Sequence, residues 1–287
     1  MSTAKNHLVF RLVWRAVNLL LVIVVASSLY AGVREYSVRQ YLRGFSDAVV
    51  PESAAPEQKV EAILAWMKSG PARYVAANPS ELSTRDPETT LNYQQLLAVC
   101  GTATNAFLNL ARSGDLSVRR LLLLTPEHSA KHVVAEVLID GRWVVVDPAY
   151  RFMFRDAQGQ LLTRSDLRDP AVFEDAIKAA PGYPSDYNFE RFAHVRVARL
   201  PFYGLELRKA LDTVLPGWDE AVDWSLLLER ESFLLLVISV SLTLFFLLLR
   251  ELLAWYADKR LRISRFHVRE HVMRAAAAFF STPEIEQ

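Results

Sequence analysis

Two long runs near the ends of this chain are predominantly apolar, and the sequence between them alternates. Residues 16–33 and 232–249 hold no charged side chain, and each is at the lower end of the length that crosses a bilayer core of roughly 30 Å as a helix. After the first run, Val38, Tyr41, Leu42, Phe45 and Val49 recur at helical spacing, so an amphipathic helix is predicted to continue beyond the span. Residues 51–56, PESAAP, read as a linker. A second helix follows with Val60, Ile63, Leu64 and Met67 on one face, and Gly70-Pro71 stops it. Residues 76–90, rich in Asn, Pro, Ser, Thr and Asp, read as a surface loop. The helical period returns at Ala103, Ala106, Phe107 and Leu110, which predicts a helix that starts close to Cys100 and ends at Gly114.

Beyond Gly114 the period shortens. Residues 118–124, VRRLLLL, are strand-like, and a polar loop over 125–130 leads to two more strands, 132–139 and 142–147, flanking Asp140-Gly141. That dipeptide is a strong type I′ turn signal. A two-residue loop sets the register: Ile139 faces Arg142, Val134 faces Asp147 and His132 faces Ala149, so His132 and Asp147 lie diagonally on one face. Asp169-Pro170 is expected to cap a helix over 171–180. Residues 181–187 form a rigid aromatic loop, placed either along a groove near His132 and Asp147 or over the sheet. His194 opens a strand-like run to Leu200 and is read as structural. Helices are expected over 203–215 and 223–230, with Trp218 and Trp224 near a membrane interface.

Charge orients the spans. Lys5, Arg11 and Arg15 precede the first with no acidic residue, while Lys259, Arg260, Arg262, Arg265, Arg269 and Arg274 follow the second. The positive-inside bias therefore puts residues 1–15 and the basic tail 250–287 in the cytoplasm. Residues 34–57 are then a juxtamembrane helix and linker, and 58–231 an exported domain on the outer face of a bacterial inner membrane. A basic start followed by Ala26, Ser27, Ser28 and Ala31 also fits a cleaved signal peptide. The run is long for a signal core and no Ala-x-Ala site closes it, so an anchor is expected. Residues 34–231 carry 23 Lys and Arg against 27 Asp and Glu, a net charge of −4. Nucleic acid is thereby excluded as a partner, because phosphate binding needs a concentrated basic surface. The length suits one α+β domain with a proper core.

Candidate chemistry centres on Cys100, the sole cysteine of 287 residues. A lone thiol outside the cytoplasm has no internal disulfide to form, which leaves its reactivity as the economical reason for keeping it. At a helix start, unpaired N–H groups favour thiolate and lower its pKa below about 8.5. His132 and Asp147, side by side on neighbouring strands, can supply a base and the carboxylate that orients it. Taken singly, each has a plainer reading: an inert core thiol, a strand-start histidine bonded to a carbonyl, an Asp-Pro turn. His128 in the loop before the hairpin is read as solvated. The sequence His267-Val268-Arg269-Glu270-His271 matches H-x-x-E-H, but its basic surroundings suit an amphipathic helix against anionic lipid better than a metal site.

The order Cys100, His132 in HVVAEV and Asp147 in DGRWVVVDPAY resembles the core of the transglutaminase-like superfamily, whose bacterial members are papain-like Cys-His-Asp enzymes. The resemblance covers roughly residues 93–150. It implies a helix bearing the cysteine packed on an antiparallel sheet, here between two transmembrane helices, with Cys100 as nucleophile, His132 as general base and acid, and Asp147 as orienter. Gln94, six residues before Cys100, sits at a spacing similar to that of the oxyanion glutamine of papain-like proteases, with Gln95 a rival and the Cys100 N–H a first donor. Val134 stands where the family often has an aromatic, and Gly101 follows the cysteine where a glycine more often lies upstream. The implied activity is attack on an amide or acyl group through a thioester. A peptidase or amidase acting on a protein or peptide of the cell envelope is the first expectation, and acyl transfer to an amine, as in true transglutaminases, the second. The competing class is a non-catalytic binding platform in a cell-envelope polymer assembly. No metal or other cofactor is expected, since the calcium-activation residues of animal relatives have no counterpart.

Overall fold

The computed structural model describes residues 2–127, 129–195, 210–221 and 223–261, with positions 273, 276 and 277. The chain divides into two units: residues 1–30 with 238–287, and residues 31–237.

The first unit is built from the outer ends of two helices, Ser2–Val49 and Glu231–Tyr256. Leu19, Leu29, Leu244 and Leu248 on them are well exposed. Rows of bare leucine are costly in water and neutral in hydrocarbon. Both helices are long and apolar enough to cross a membrane, consistent with membrane anchoring on either side of the domain. Polar side chains in this unit pair with one another: Ser28 Oγ lies 3.0 Å from Thr243 Oγ1, and Arg250 Nε donates to Asn18 Oδ1 at 3.2 Å. Such pairing spares them an unsatisfied state in lipid.

In the second unit the first helix becomes amphipathic, as its spacing predicts. Leu42 is fully buried, and Val38, Tyr41, Phe45 and Val49 pack against the same core. A break over residues 51–55 separates it from the helix Pro56–Ser69. Val60, Ile63, Leu64 and Met67 are that helix's buried face, and Phe45 meets Trp66 edge-on at 5.0 Å. Gly70 ends it. A Cβ there would come within 2.5 Å of the Trp66 carbonyl oxygen, so only glycine fits.

The expected loop over 76–90 is only partly a loop. A 3-10 turn occupies Pro79–Glu81, and a short helix runs Pro87–Asn92 with Thr90 and Leu91 buried. Asp86 precedes Pro87 and accepts from Thr89 Oγ1 at 2.8 Å. Proline at the first helical position costs no hydrogen bond, which is why the helix begins there.

The five-stranded sheet has the order β4-β3-β2-β1-β5 and is antiparallel throughout. β1 is Val118–Leu124, β2 Ala130–Ile139, β3 Arg142–Asp147, β4 Phe152–Met153 and β5 Phe192–Ala193. Asp140 (φ 50°) and Gly141 (φ 77°) adopt the left-handed pair that the tight hairpin demands. Pairing runs from Ile139↔Arg142 to Ala135↔Val146, the register read from the turn. One face of the sheet packs against the helix Cys100–Ser113 through Ala135, Val137, Val144 and Val146. This helix is buried nearly all round, from Thr102 to Ala111. Burial of side chains such as Phe107, Leu108 and Leu110 contributes about 1.5–3 kcal/mol each, and this anchors the cysteine end firmly.

The other face holds Leu121, Leu123, Val134 and Val145 under Phe154, Phe173, Tyr183 and Phe189. Phe173 belongs to the helix Pro170–Ile177, whose N-cap Asp169 accepts from Ala171 N at 2.9 Å. That helix stops three residues short of the expected end. The strand expected from His194 instead ends at Ala193, and residues 196–200 lie outside the described residues, as do 203–209 of the next expected helix. A helix spans 210–214, and short helices Trp218–Ala221 and Trp224–Glu229 precede the second apolar helix. Glu220 of this segment pairs with Arg164 at 2.7 Å and with Arg119 at 3.4 Å, tying it to the sheet.

Candidate active site

Cys100 is the first residue of its helix, preceded by Val99 in extended conformation. No side chain caps this start and its first turn holds no acidic residue, so the helix dipole acts on the thiol undiminished. The Thr102 hydroxyl donates back to Leu96 O and Val99 O, which fixes the chain entering the helix. Thr104 Oγ1 donates to Val133 O at 3.0 Å, locking the first turns of the helix onto β2 beside His132. Cys100 is half-buried.

His132 lies near the start of β2. There the pairing with β1 shifts register, from Leu123↔His132 to Leu124↔Ala130, leaving Lys131 as the extra residue. Such a bulge re-aims neighbouring side chains. The His132 ring is buried, and its Nε2 lies 2.6 Å from Oδ2 of Asp147, the last residue of β3. Asp147 has no exposed surface at all and its carboxylate is fully engaged. Oδ2 also accepts from Tyr183 Oη at 3.0 Å, and Oδ1 accepts from the backbone N–H groups of Ala149 and Tyr150 at 2.9 and 3.1 Å. Pro148 makes this turn natural, because it has no N–H of its own to satisfy.

With Nε2 committed to Asp147, Nδ1 is the nitrogen left to face the thiol. The nearby His132 is the main cause that lowers the Cys100 pKa, by hydrogen-bonding to its charged form, against the opposing effect of burial. Burial pulls the His132 pKa down, but the hydrogen bonds to Asp147 and Cys100 outweigh it and raise the value to about 9. Both shifts favour a thiolate–imidazolium pair at neutral pH. Tyr183 is pushed far upward by burial and by the adjacent Asp147, so its phenol stays protonated and donates.

Three tyrosines enclose the imidazole. Tyr187 stacks on it at 4.2 Å with 13° between the planes, while Tyr150 and Tyr183 approach edge-on at 5.9 and 6.3 Å. They shield the His132–Asp147 bond from water, which strengthens it. Lys131 pairs with Asp186 at 2.7 Å and thereby holds the loop that carries Tyr187.

The structure thus brings Cys100, His132 and Asp147 together. Gln94 is exposed at the start of the helix Gln94–Leu97, with its N–H on Tyr74 O. Gln95 donates to Ala76 O at 3.2 Å. A cavity of about 500 Å³ is lined by residues including Cys100, Gly101, Thr102, Arg120 and Lys131. His194 is buried, with Nε2 2.8 Å from Glu136 Oε2, which also takes Arg119 at 2.7 Å. These contacts give it a structural setting, as expected. His128 and the stretch 267–271 lie outside the described residues. Among the described residues no group of three or more His, Cys, Asp or Glu is placed to hold a metal ion.

Residues 43–148 match the family model described as the transglutaminase-like superfamily. The match includes Cys100, His132 and Asp147 and stops before Tyr183 and Tyr187. No curated protein and no solved structure matches the chain.

Proposed function

We propose that this transglutaminase-like domain is a cysteine-dependent enzyme acting on amide or related acyl bonds through a thioester. The observation that carries this reading is the buried His132 held between Asp147, at 2.6 Å, and the thiol of a helix-start cysteine. In the proposed reaction the Cys100 sulfur bonds to the acyl carbon as the carbonyl π electrons move onto oxygen. The Cys100 N–H is a first donor to that oxyanion. Gln94, exposed and six residues before Cys100, is the candidate for a second. When the tetrahedral species collapses, the C–N bond breaks and the His132 imidazolium gives its proton to the departing amine. Water then attacks the thioester, His132 takes its proton, and the acid and the Cys100 thiolate are released. Hydrolysis makes the protein a peptidase or amidase. Transfer to an amine uses the same thioester.

The two flanking helices and the charge bias support a setting in a bacterial inner membrane, with the domain extracytoplasmic, both termini cytoplasmic, and a protein or peptide of the cell envelope as substrate. The test is the rate of Cys100 alkylation by iodoacetamide against pH. The proposal expects an inflection well below about 8.5, displaced upward in His132→Ala. A profile that titrates like a free thiol, unchanged in that variant, leaves a domain that serves as a binding platform.

A further inference from the structure

We infer that the cavity beside Cys100 is a carboxylate-binding subsite, so that the acyl substrate carries a carboxylate close to the bond under attack. This rests on the proposed role of Cys100 and adds a substrate class to it. Residues 34–231 are acidic overall, with 23 Lys and Arg against 27 Asp and Glu. The wall of this cavity reverses that balance: Arg85, Arg120 and Lys131 line it against one carboxylate, Glu229. Glu229 is neutralised in place, 2.8 Å from Arg120 Nη1. Arg120 Nη2 also donates to Gly101 O at 3.0 Å, which fixes a guanidinium beside the first turn of the cysteine helix. His194 reaches the same wall, but its Nε2 is bonded to Glu136 at 2.8 Å.

The other two cations are available to a ligand. Arg85 is exposed. Lys131 is held by Asp186, whose side chain is 62% exposed and does not line the cavity. With Lys131 31% exposed, the pair is half-exposed and worth about 1 kcal/mol, so an incoming carboxylate can compete with Asp186 for Lys131. Thr102 and Ser225 add neutral hydroxyls, while Leu122, Val133 and Leu228 supply apolar wall for an aliphatic stem. Convergent cations on a partly apolar cavity of about 500 Å³ suit a small organic acid group.

Cys100, as the sole thiol, reports on the cavity directly. Iodoacetate and iodoacetamide alkylate a thiolate by the same displacement of iodide and differ in carboxylate against carboxamide. Their rate ratio on the full chain in neutral detergent cancels any general change in thiol reactivity. The ratio for the folded chain should exceed that for the same chain in denaturant by about tenfold at low ionic strength. Arg85→Gln and Lys131→Gln should each lower it by about threefold, as should raising the salt. Lys178→Gln, which removes an exposed charge elsewhere, should leave it unchanged. A folded ratio equal to the denatured one overturns the subsite. So does a raised ratio that neither the Arg85 nor the Lys131 variant lowers, since the His132 imidazolium alone would then account for it. A free-thiol pH profile with iodoacetamide would instead overturn the proposed role of Cys100, whatever the ratio.

Discussion

Asp147→Asn changes one atom in the most heavily bonded group of the site. The native carboxylate accepts four hydrogen bonds, from His132, Tyr183 and two backbone N–H groups. An amide has one oxygen and one NH₂, so it cannot accept on both sides. If its oxygen stays on the Ala149 and Tyr150 N–H groups, the NH₂ meets His132 and Tyr183. His132 Nε2 must then be the acceptor, and the proton moves to Nδ1, the nitrogen that serves the thiol. If the amide flips, its NH₂ meets two backbone donors instead. A buried polar group left unmatched costs about 1–3 kcal/mol, and two of them cost about 2–6 kcal/mol, a large share of the roughly 5–15 kcal/mol that holds a domain. The first arrangement also removes the base at neutral pH, with a loss of about 10²–10⁴-fold in turnover, on the scale of general-base catalysis and of the same substitution in a serine triad. The assay is the alkylation profile of Cys100 together with a thermal melt. The variant should melt lower and its inflection should move toward that of a free thiol, leaving a small residual rate. A variant that melts lower yet keeps the wild-type inflection would refute the idea that Asp147 sets the tautomer.

Tyr183→Phe removes one donor to Asp147 and keeps the packed ring, so it should cost about 1.5–3 kcal/mol in a melt and shift the Cys100 inflection less than Asp147→Asn does; a larger shift would mean that Tyr183 meets the thiol's proton itself. Because the folded His132 value of about 9 lies above its ordinary 6.5, its contribution to stability is complete below pH 6.5 and lost as pH rises through about 9. The melting temperature should fall across that window, and His132→Gln should remove this component; an unchanged slope would contradict it. A reporter active only in the cytoplasm should work after Gln287 and fail when inserted in the exposed turn Pro79–Glu81, and the reverse would put the domain in the cytoplasm.

Local signals carried the parts of the fold that the sequence makes legible. Asp140-Gly141 sets the hairpin and its register, and with them the meeting of His132 and Asp147. The apolar spacing around Phe107 places Cys100 at a helix start. The helix Pro87–Asn92 has only six residues, too few for a period to show among polar neighbours. Its one signal was Asp86-Pro87. Tyr183 lies 36 residues from the carboxylate it bonds, and Glu229 is brought to Arg120 from the segment before the second apolar helix. Contacts of this range depend on packing and leave no spacing to read. The aromatic loop over 181–187 is expected either along a groove or over the sheet; Tyr183 and Tyr187 pack over the sheet, and nothing in the sequence marks Tyr183 as a donor to Asp147.

The central claim is that Cys100 becomes acylated. The full chain, incubated with cell-envelope material and digested under acid conditions that preserve thioesters, should yield a Cys100 peptide with an added acyl mass. Hydroxylamine should remove that mass, and it should be absent from Cys100→Ala. The acyl part names the substrate. If no adduct forms on Cys100, even in the impaired Asp147→Asn chain, and Cys100→Ala keeps full biological function, the thiol is no nucleophile and the account is wrong.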